Sequence, residues 1–373
     1  MAAAMLTGCG VPRQAQDDMQ PPVGAPGAMP QAAQAASSSY QVLYFFGGGR
    51  AGNGAAPQGR LIDVNGTLYG TTNYGGAFRN GTVYSVGTNG GEKVLYSFDS
   101  FGSGSDGSRP QGDLLSVKGT LYGTTLSGGG SACKCGTVFS ISTGGAEKVL
   151  YSFAGGSDGV NPGTSLIDVR GTLYGTSYAG GGSKCDKGYG CGTVFRISKA
   201  GSEKVLYRFA GNLDGQGGPQ SGLLNVGGNL YGTTDFGGGT GCTARVESRH
   251  GDGCGTVYRV SLTGSEKVLY RFAGSSDGAV PLAGLISVSG TLYGTTYAGG
   301  GSDRCGRPGG CGTVYSVSTT GSEQVLHSFA RYSDGSRPSA GLTDVNGTVY
   351  GTTAAGSKTH SKRGAGTVFM FTP

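Results

Sequence analysis

Thr67-Leu68-Tyr69-Gly70-Thr71-Thr72 alternates as a strand does, and the chain returns to it again and again. The core Leu-Tyr-Gly-Thr begins at Leu68, Leu121, Leu173, Leu230 and Leu292 and comes back as Val349-Tyr350-Gly351-Thr352. Repeats about fifty to sixty residues apart each encode one supersecondary unit, which buries its apolar faces only by stacking on a neighbour. Around the first copy lie three further short runs, giving strand a (residues 61–64), strand b (67–72), strand c (82–86) and strand d (93–98). All four are rich in β-branched and aromatic residues and are bounded by Gly, Asn or Asp.

The turns assign the pairing. Asn65-Gly66 and Asn346-Gly347 separate a from b, and Asn-Gly is the strongest short hairpin signal because both residues tolerate positive φ. Short Gly-containing turns such as Ser198-Lys199-Ala200-Gly201-Ser202 join c to d, and Gly-rich loops join b to c. Each unit is therefore an antiparallel meander, apolar on both faces, which must be sandwiched between neighbours like a propeller blade. The sixth unit stops after strand c at residues 367–371, while an orphan strand d, residues 41–46, precedes the first strand a. The reading is all-β: a six-bladed β-propeller of four-stranded antiparallel blades, closed by pairing 41–46 with 367–371, which removes the open edges.

Composition sets the surroundings. Charged residues are only 13% of the chain, and the net charge of +6 is scattered as single Lys and Arg rather than gathered in a run, so no nucleic-acid surface is expected. Residues 10–39 are rich in Gln, Ala, Pro and Ser and read as a flexible tether. Before them, Leu6-Thr7-Gly8-Cys9 resembles a bacterial lipobox, with residues 1–9 a truncated signal remnant and Cys9 its lipidation site. Membrane contact is expected only through that anchor.

The other eight cysteines fall into local pairs: Cys133/Cys135, Cys185/Cys191, Cys242/Cys254 and Cys305/Cys311. With three His in the chain and no pair beside another at ribbon spacing, disulfides are expected in place of zinc, and so an oxidising compartment. Cys133 and Cys135 have one residue between them and are the hardest pair to close.

The phrase Gly-Thr-Leu-Tyr-Gly-Thr-Thr, then Gly-Gly, then Cys-Gly-Thr-Val-Tyr/Phe, then Glu-Lys-Val-Leu-Tyr-Ser/Arg-Phe closely resembles the Gloeo-Verruco tandem repeat over residues 41–373. The resemblance implies an exported, surface-anchored bacterial protein and supplies no catalytic residues.

Chemistry is harder to find. The matches Gly155-Gly156-Ser157-Asp158-Gly159 and Gly274-Ser275-Ser276-Asp277-Gly278 lie between strands, not on the strand-to-helix turn of a nucleophile elbow. A repeated Asp/Asn-Gly-x-x-Pro follows strand d, at Asn53, Asp106, Asp158, Asp277 and Asp334. Each copy offers at most one carboxylate where Ca²⁺ takes about six to eight oxygens, so it reads as a turn: Asp caps N–H groups, Gly takes positive φ and Pro leads into strand a. No metal or cofactor is expected.

Strand alternation sends the b–c loops and the d–a crossings out of the same end of every unit, where ligand sites concentrate. That end carries aromatic residues just after strand b, Tyr74, Tyr178, Phe236 and Tyr297, and the long fourth loop with Arg245, Glu247, Arg249, His250 and Asp252. These are the expected contacts to an extracellular ligand, a glycan or a protein or peptide. Because the loop carboxylates are near-copies, the reading is a non-enzymatic binding or scaffold protein; the alternative is an exported enzyme acting on polysaccharide through loop-face carboxylates.

Overall fold

The computed structural model describes residues 42–47, 52–99, 106–182, 190–211, 213–215, 222–239, 241–242, 253–302, 305, 309–356 and 366–373. The named elements among the described residues are β-strands, with a 3-10 turn at Tyr332–Asp334. In the first unit strand a is Ile62–Val64, b is Thr67–Gly75, c is Thr82–Gly87 and d is Glu92–Ser97, hydrogen-bonded antiparallel in the order a-b-c-d. The same order recurs in the second to fifth units, and the sixth runs a-b-c, ending with Thr367–Phe371. The hairpin turns behave as their sequence demands, with φ of 53° at Asn65 and 80° at Gly66, and 52° and 82° at Asn346 and Gly347.

Within a unit, strands b and c are riveted by two hydroxyls. The second Thr of Tyr-Gly-Thr-Thr meets the Thr that opens strand c: Thr72 with Thr82 at 2.8 Å, Thr125 with Thr137 at 2.8 Å, Thr234 with Thr256 at 2.9 Å. All are buried, so the pair satisfies polar atoms that the core would otherwise leave orphaned. The Gly of the same phrase lies under the strand c aromatic: a Cβ on Gly232 would stand 2.4 Å from the Tyr258 hydroxyl.

Between units the contact is equally regular. Phe98 at the end of one strand d meets Phe139 on the next strand c edge-to-face at 5.2 Å, and Phe153 with Phe195, Phe209 with Tyr258 and Phe272 with Tyr315 repeat the geometry. Each c–d turn docks on the strand d before it: a Cβ on Gly145 would lie 2.6 Å from the Leu95 carbonyl. The hydrophobic core is consequently a set of clusters, each drawing side chains from two consecutive units.

One expectation needs correction in part. In the Asp/Asn-Gly-x-x-Pro crossings Gly278 and Gly335 take positive φ, at 108° and 89°, but the residue held there in every described copy is the one before Pro: Ala56, Arg109, Asn161, Val280 and Arg337, at 54° to 59°. The crossing also pairs with the end of strand b, Gly107 opposite Gly128 and Ser108 opposite Ser127, which fixes that conformation. Among the described residues no ladder joins 42–46 to Thr367–Phe371, which pairs with Thr348–Thr353, and Val368 and Met370 are 78% and 68% exposed.

Candidate functional site

The crossings come to lie where they were expected, at the end that carries the b–c loops. At each seam a strand d tyrosine donates its hydroxyl to the Asp of its own crossing: Tyr96 to Asp106 at 2.7 Å, Tyr151 to Asp158 at 2.9 Å, Tyr207 to Asp214 at 2.7 Å, Tyr270 to Asp277 at 2.9 Å. The same Asp oxygen accepts a backbone N–H, as from Ala154 at 2.8 Å and Ala210 at 2.9 Å. A glutamate that opens the next unit's strand d reaches the same hydroxyl: Glu147, Glu203, Glu266 and Glu323.

These carboxyl pairs have an electrostatic signature. Burial first, and the neighbouring Asp second, push each of the four glutamates up to about 7. Burial and the Asp bond push the tyrosines well above their ordinary range. An acid beside a carboxylate is the pairing that glycoside cleavage uses. Here, however, the tyrosine hydroxyl and a backbone N–H occupy the Asp, so the cluster staples one unit to the next.

The two outer seams depart from the pattern. At the first, Asn53 replaces the Asp and donates to the Tyr44 hydroxyl at 2.6 Å. At the last, His327 replaces the Tyr and its Nε2 pairs with Asp334 Oδ1 at 3.0 Å. His327 and Asp334 line a groove of about 300 Å³ with Val314, Leu326, Phe329, Phe369, Met370 and Phe371.

One carboxylate inside the long-loop end has no counterpart. Asp235, 1% exposed, follows strand b of the fourth unit, Asn229–Thr234, at the position held by Asn73, Leu126, Tyr178, Tyr297 and Ala354 in the other units. It sits at the root of the loop bridged by Cys242–Cys254. Sequence reasoning passed over it while reading the aromatic residues; aligning the six copies column by column is the signal that finds it.

Of the expected site residues, Arg245, Glu247, Arg249, His250 and Asp252 lie outside the described residues, as do Cys9, Cys185 and the tether. Tyr74 is 46% exposed, with the Arg109 guanidinium 5.6 Å from its ring centre. Tyr178 is half-buried, while Phe236 and Tyr297 pack on the core cluster shared by the fourth and fifth units, Tyr297 also lying under Arg337 at 5.6 Å. Phe236 and Tyr297 therefore help to pack the seam between the fourth and fifth units. Bonds Cys133–Cys135, Cys242–Cys254 and Cys305–Cys311 form, with Cα separations of 5.2, 5.1 and 5.2 Å, and Cys191 is disulfide-bonded as well. Such bonds indicate an oxidising, extracellular setting. No helix among the described residues is long and apolar enough to cross a membrane.

The fold is thus that of an all-β tandem-repeat protein whose units share seams of one design. The chain belongs to the Gloeobacter/Verrucomicrobia repeat family, whose model matches residues 31–187, 101–306 and 243–373. No curated protein sequence matches it. Among solved structures it is similar to the tricorn protease, at 13% identity and a TM-score of 0.39 over 79% of this chain, and it spans 24% of that much longer chain. It is also similar to an α-L-arabinanase of Penicillium chrysogenum, at 12% identity and a TM-score of 0.44 over 85% of this chain and 92% of that one. A gluconolactonase of Xanthomonas campestris gives 12% identity and a TM-score of 0.43 over 82% of both chains.

The expectation of a non-enzymatic binding or scaffold protein is corrected here. The premise behind the expectation, that the loop carboxylates are copies of one another, fails at Asp235.

Proposed function

We propose that the protein is an exported enzyme acting on polysaccharide, with its reaction centre at the long-loop end of the fourth unit. The observation that supports this is Asp235, the carboxylate that breaks the repeat inside the unit with the longest b–c loop. Glycoside cleavage needs a proton donor and an opposed carboxylate. Asp235 supplies one, and Glu247 or Asp252 of the loop that follows it in sequence supplies the other. The test is reducing-end release from arabinan, xylan and pectin by residues 40–373. Cleavage that Asp235→Asn abolishes while the melting temperature stays within a few degrees supports the reading; no cleavage of any of the three, or full activity in the variant, refutes it.

The same proposal takes the domain to be a six-bladed ring closed by residues 41–46, held on a tether of residues 10–39 from a lipid on Cys9. One contact of residues 42–46 supports this: the Phe46 ring meets Tyr84 edge-to-face at 5.0 Å, as each strand d Phe meets the next strand c. The groove beside Phe369–Phe371 lies against the sixth unit, whose sheet has three strands among the described residues.

A further inference from the structure

The seam between the first and second units opens into a cleft of about 530 Å³, lined by Tyr74, Phe78, Arg79, Asn80, Ser108, Arg109, Ser127, Gly128 and Lys134. Three of those side chains are cationic and none is acidic. We infer that this cleft binds an anionic saccharide, its sugar ring against Tyr74 and Phe78 and its carboxylate or sulfate among Arg79, Arg109 and Lys134.

The cations sit where the backbone favours glycine. Arg79 and Lys134 each stand two residues before the Gly-Thr that opens strand c, at φ of 62° and 52°. The corresponding residues of the third, fourth and fifth units are Gly190, Gly253 and Gly310, also at positive φ. Glycine adopts that conformation without penalty and a side chain does not. Only the two units that flank the cleft depart from glycine, and both depart to a cation. Arg109 is left-handed too, at 58°, with its N–H donating to the Asn80 carbonyl at 2.8 Å, which holds it on the seam between the other two.

A second feature is independent of charge. Asn80 stands where the b–c loops of the second to fifth units have the second cysteine of a pair, Cys135, Cys191, Cys254 and Cys311. It is 7% exposed, lines the cleft, and its Nδ2 meets no acceptor among the described residues. A buried amide without an acceptor costs free energy unless a ligand oxygen supplies one.

The chemistry selects the ligand class. Guanidinium forks grip planar oxyanions in bidentate fashion, and the Arg109 guanidinium lies over the Tyr74 ring, 5.6 Å from its centre. Lys134 donates to the Gly129 carbonyl at 3.0 Å, which leaves two ammonium protons for an anion. Exposed aromatic faces, Tyr74 at 46% and Phe78 at 50%, present flat apolar area to a sugar ring. The inference rests on the carbohydrate reading above for its saccharide part, and adds the charge of the substrate and a subsite remote from Asp235 in the repeat order.

Calorimetric titration of residues 40–373 tests it, with trigalacturonate, a chondroitin sulfate tetrasaccharide, xylotriose and sodium sulfate as probes. At least one acidic oligosaccharide should bind, weaken about tenfold as salt is raised from low to physiological strength, and leave xylotriose without measurable heat. The first two probes decide between carboxylate and sulfate. The variant R79G/K134G, which puts in the residue the backbone prefers, should fold with an unchanged or higher melting temperature and lose tenfold or more in affinity. Equal binding of xylotriose, unchanged affinity in the double variant, or binding of sodium sulfate with no saccharide overturns the inference. D235N separates the two readings: it should bind acidic probes as the wild type does. Intact acidic binding without cleavage of any polysaccharide sinks the enzymatic reading and leaves the cleft standing.

Discussion

The Leu43 carbonyl lies 2.6 Å from where a Cβ on Gly90 would stand, the same approach that the Leu95 carbonyl makes to Gly145 one unit later. A residue ahead of the first strand a thus does what strand d residues do. Tyr44 and Phe46 agree, through Asn53 and Tyr84. If residues 42–46 hold that place in solution, Gly90→Ala and Gly145→Ala should destabilise alike, each by roughly 1–3 kcal/mol, from positive φ and the carbonyl clash together. Deleting 41–46 should lower the melting temperature by several degrees. A Gly90→Ala variant much milder than Gly145→Ala, with a silent deletion, would show that the segment is a loose tail.

Proton uptake gives a second prediction. Glu147, Glu203, Glu266 and Glu323 keep their protons up to about pH 7 in the fold, but lose them in the ordinary carboxylate range when unfolded. Between those limits the native state binds more protons, so stability is full below the ordinary carboxylate range and falls as pH rises through about 7. Melting should therefore occur at a higher temperature at pH 5 than at pH 8. Replacing all four by Gln should flatten the difference, and a wild-type melting temperature that rises between those pH values would refute the assignment.

The hydroxyl rivets predict a pattern of coupling. Thr256→Val removes one partner of the 2.9 Å contact with Thr234 and should cost about 1–2 kcal/mol. Adding Thr234→Val should cost less than its single-variant value, because the two oxygens then leave the core together. Simple additivity in a denaturant double-mutant cycle would mean that the two hydroxyls do not depend on each other.

Mass mapping without reductant should recover the links Cys133–Cys135, Cys242–Cys254 and Cys305–Cys311. Opening the two longer loops by substitution should cost roughly 2–3 kcal/mol each by the chain-entropy model. Free thiols at these positions in protein taken from the cell exterior would contradict the oxidising compartment.

Much of this fold is legible in the repeat. Asn65-Gly66 announces a hairpin because two residues that tolerate positive φ stand together between apolar runs, and the structure has both there. Alternation in Thr67–Gly75 announces a strand with two buried faces. Periodicity says which strands pair but not which neighbour a side chain touches, so the staple of Tyr96, Asp106 and Glu147 was invisible: its members come from two units and from both ends of strand d. The candidate sites were hidden for the opposite reason. Attention to what repeats, such as the aromatics after strand b, draws the eye from Asp235, Arg79 and Lys134, whose meaning lies in being the odd members of a column.

Among the described residues Thr367–Phe371 is the strand c paired on one flank alone, which has a mechanical consequence. A pull on Pro373 across the sheet loads its hydrogen bonds to Thr348–Thr353 one after another, as a zipper is opened, whereas interior strands are held on both flanks and must shear many bonds at once. Under tension Thr367–Phe371 is the strand c that yields most readily among those described. Any contact that covers its free edge raises the force at which it gives way.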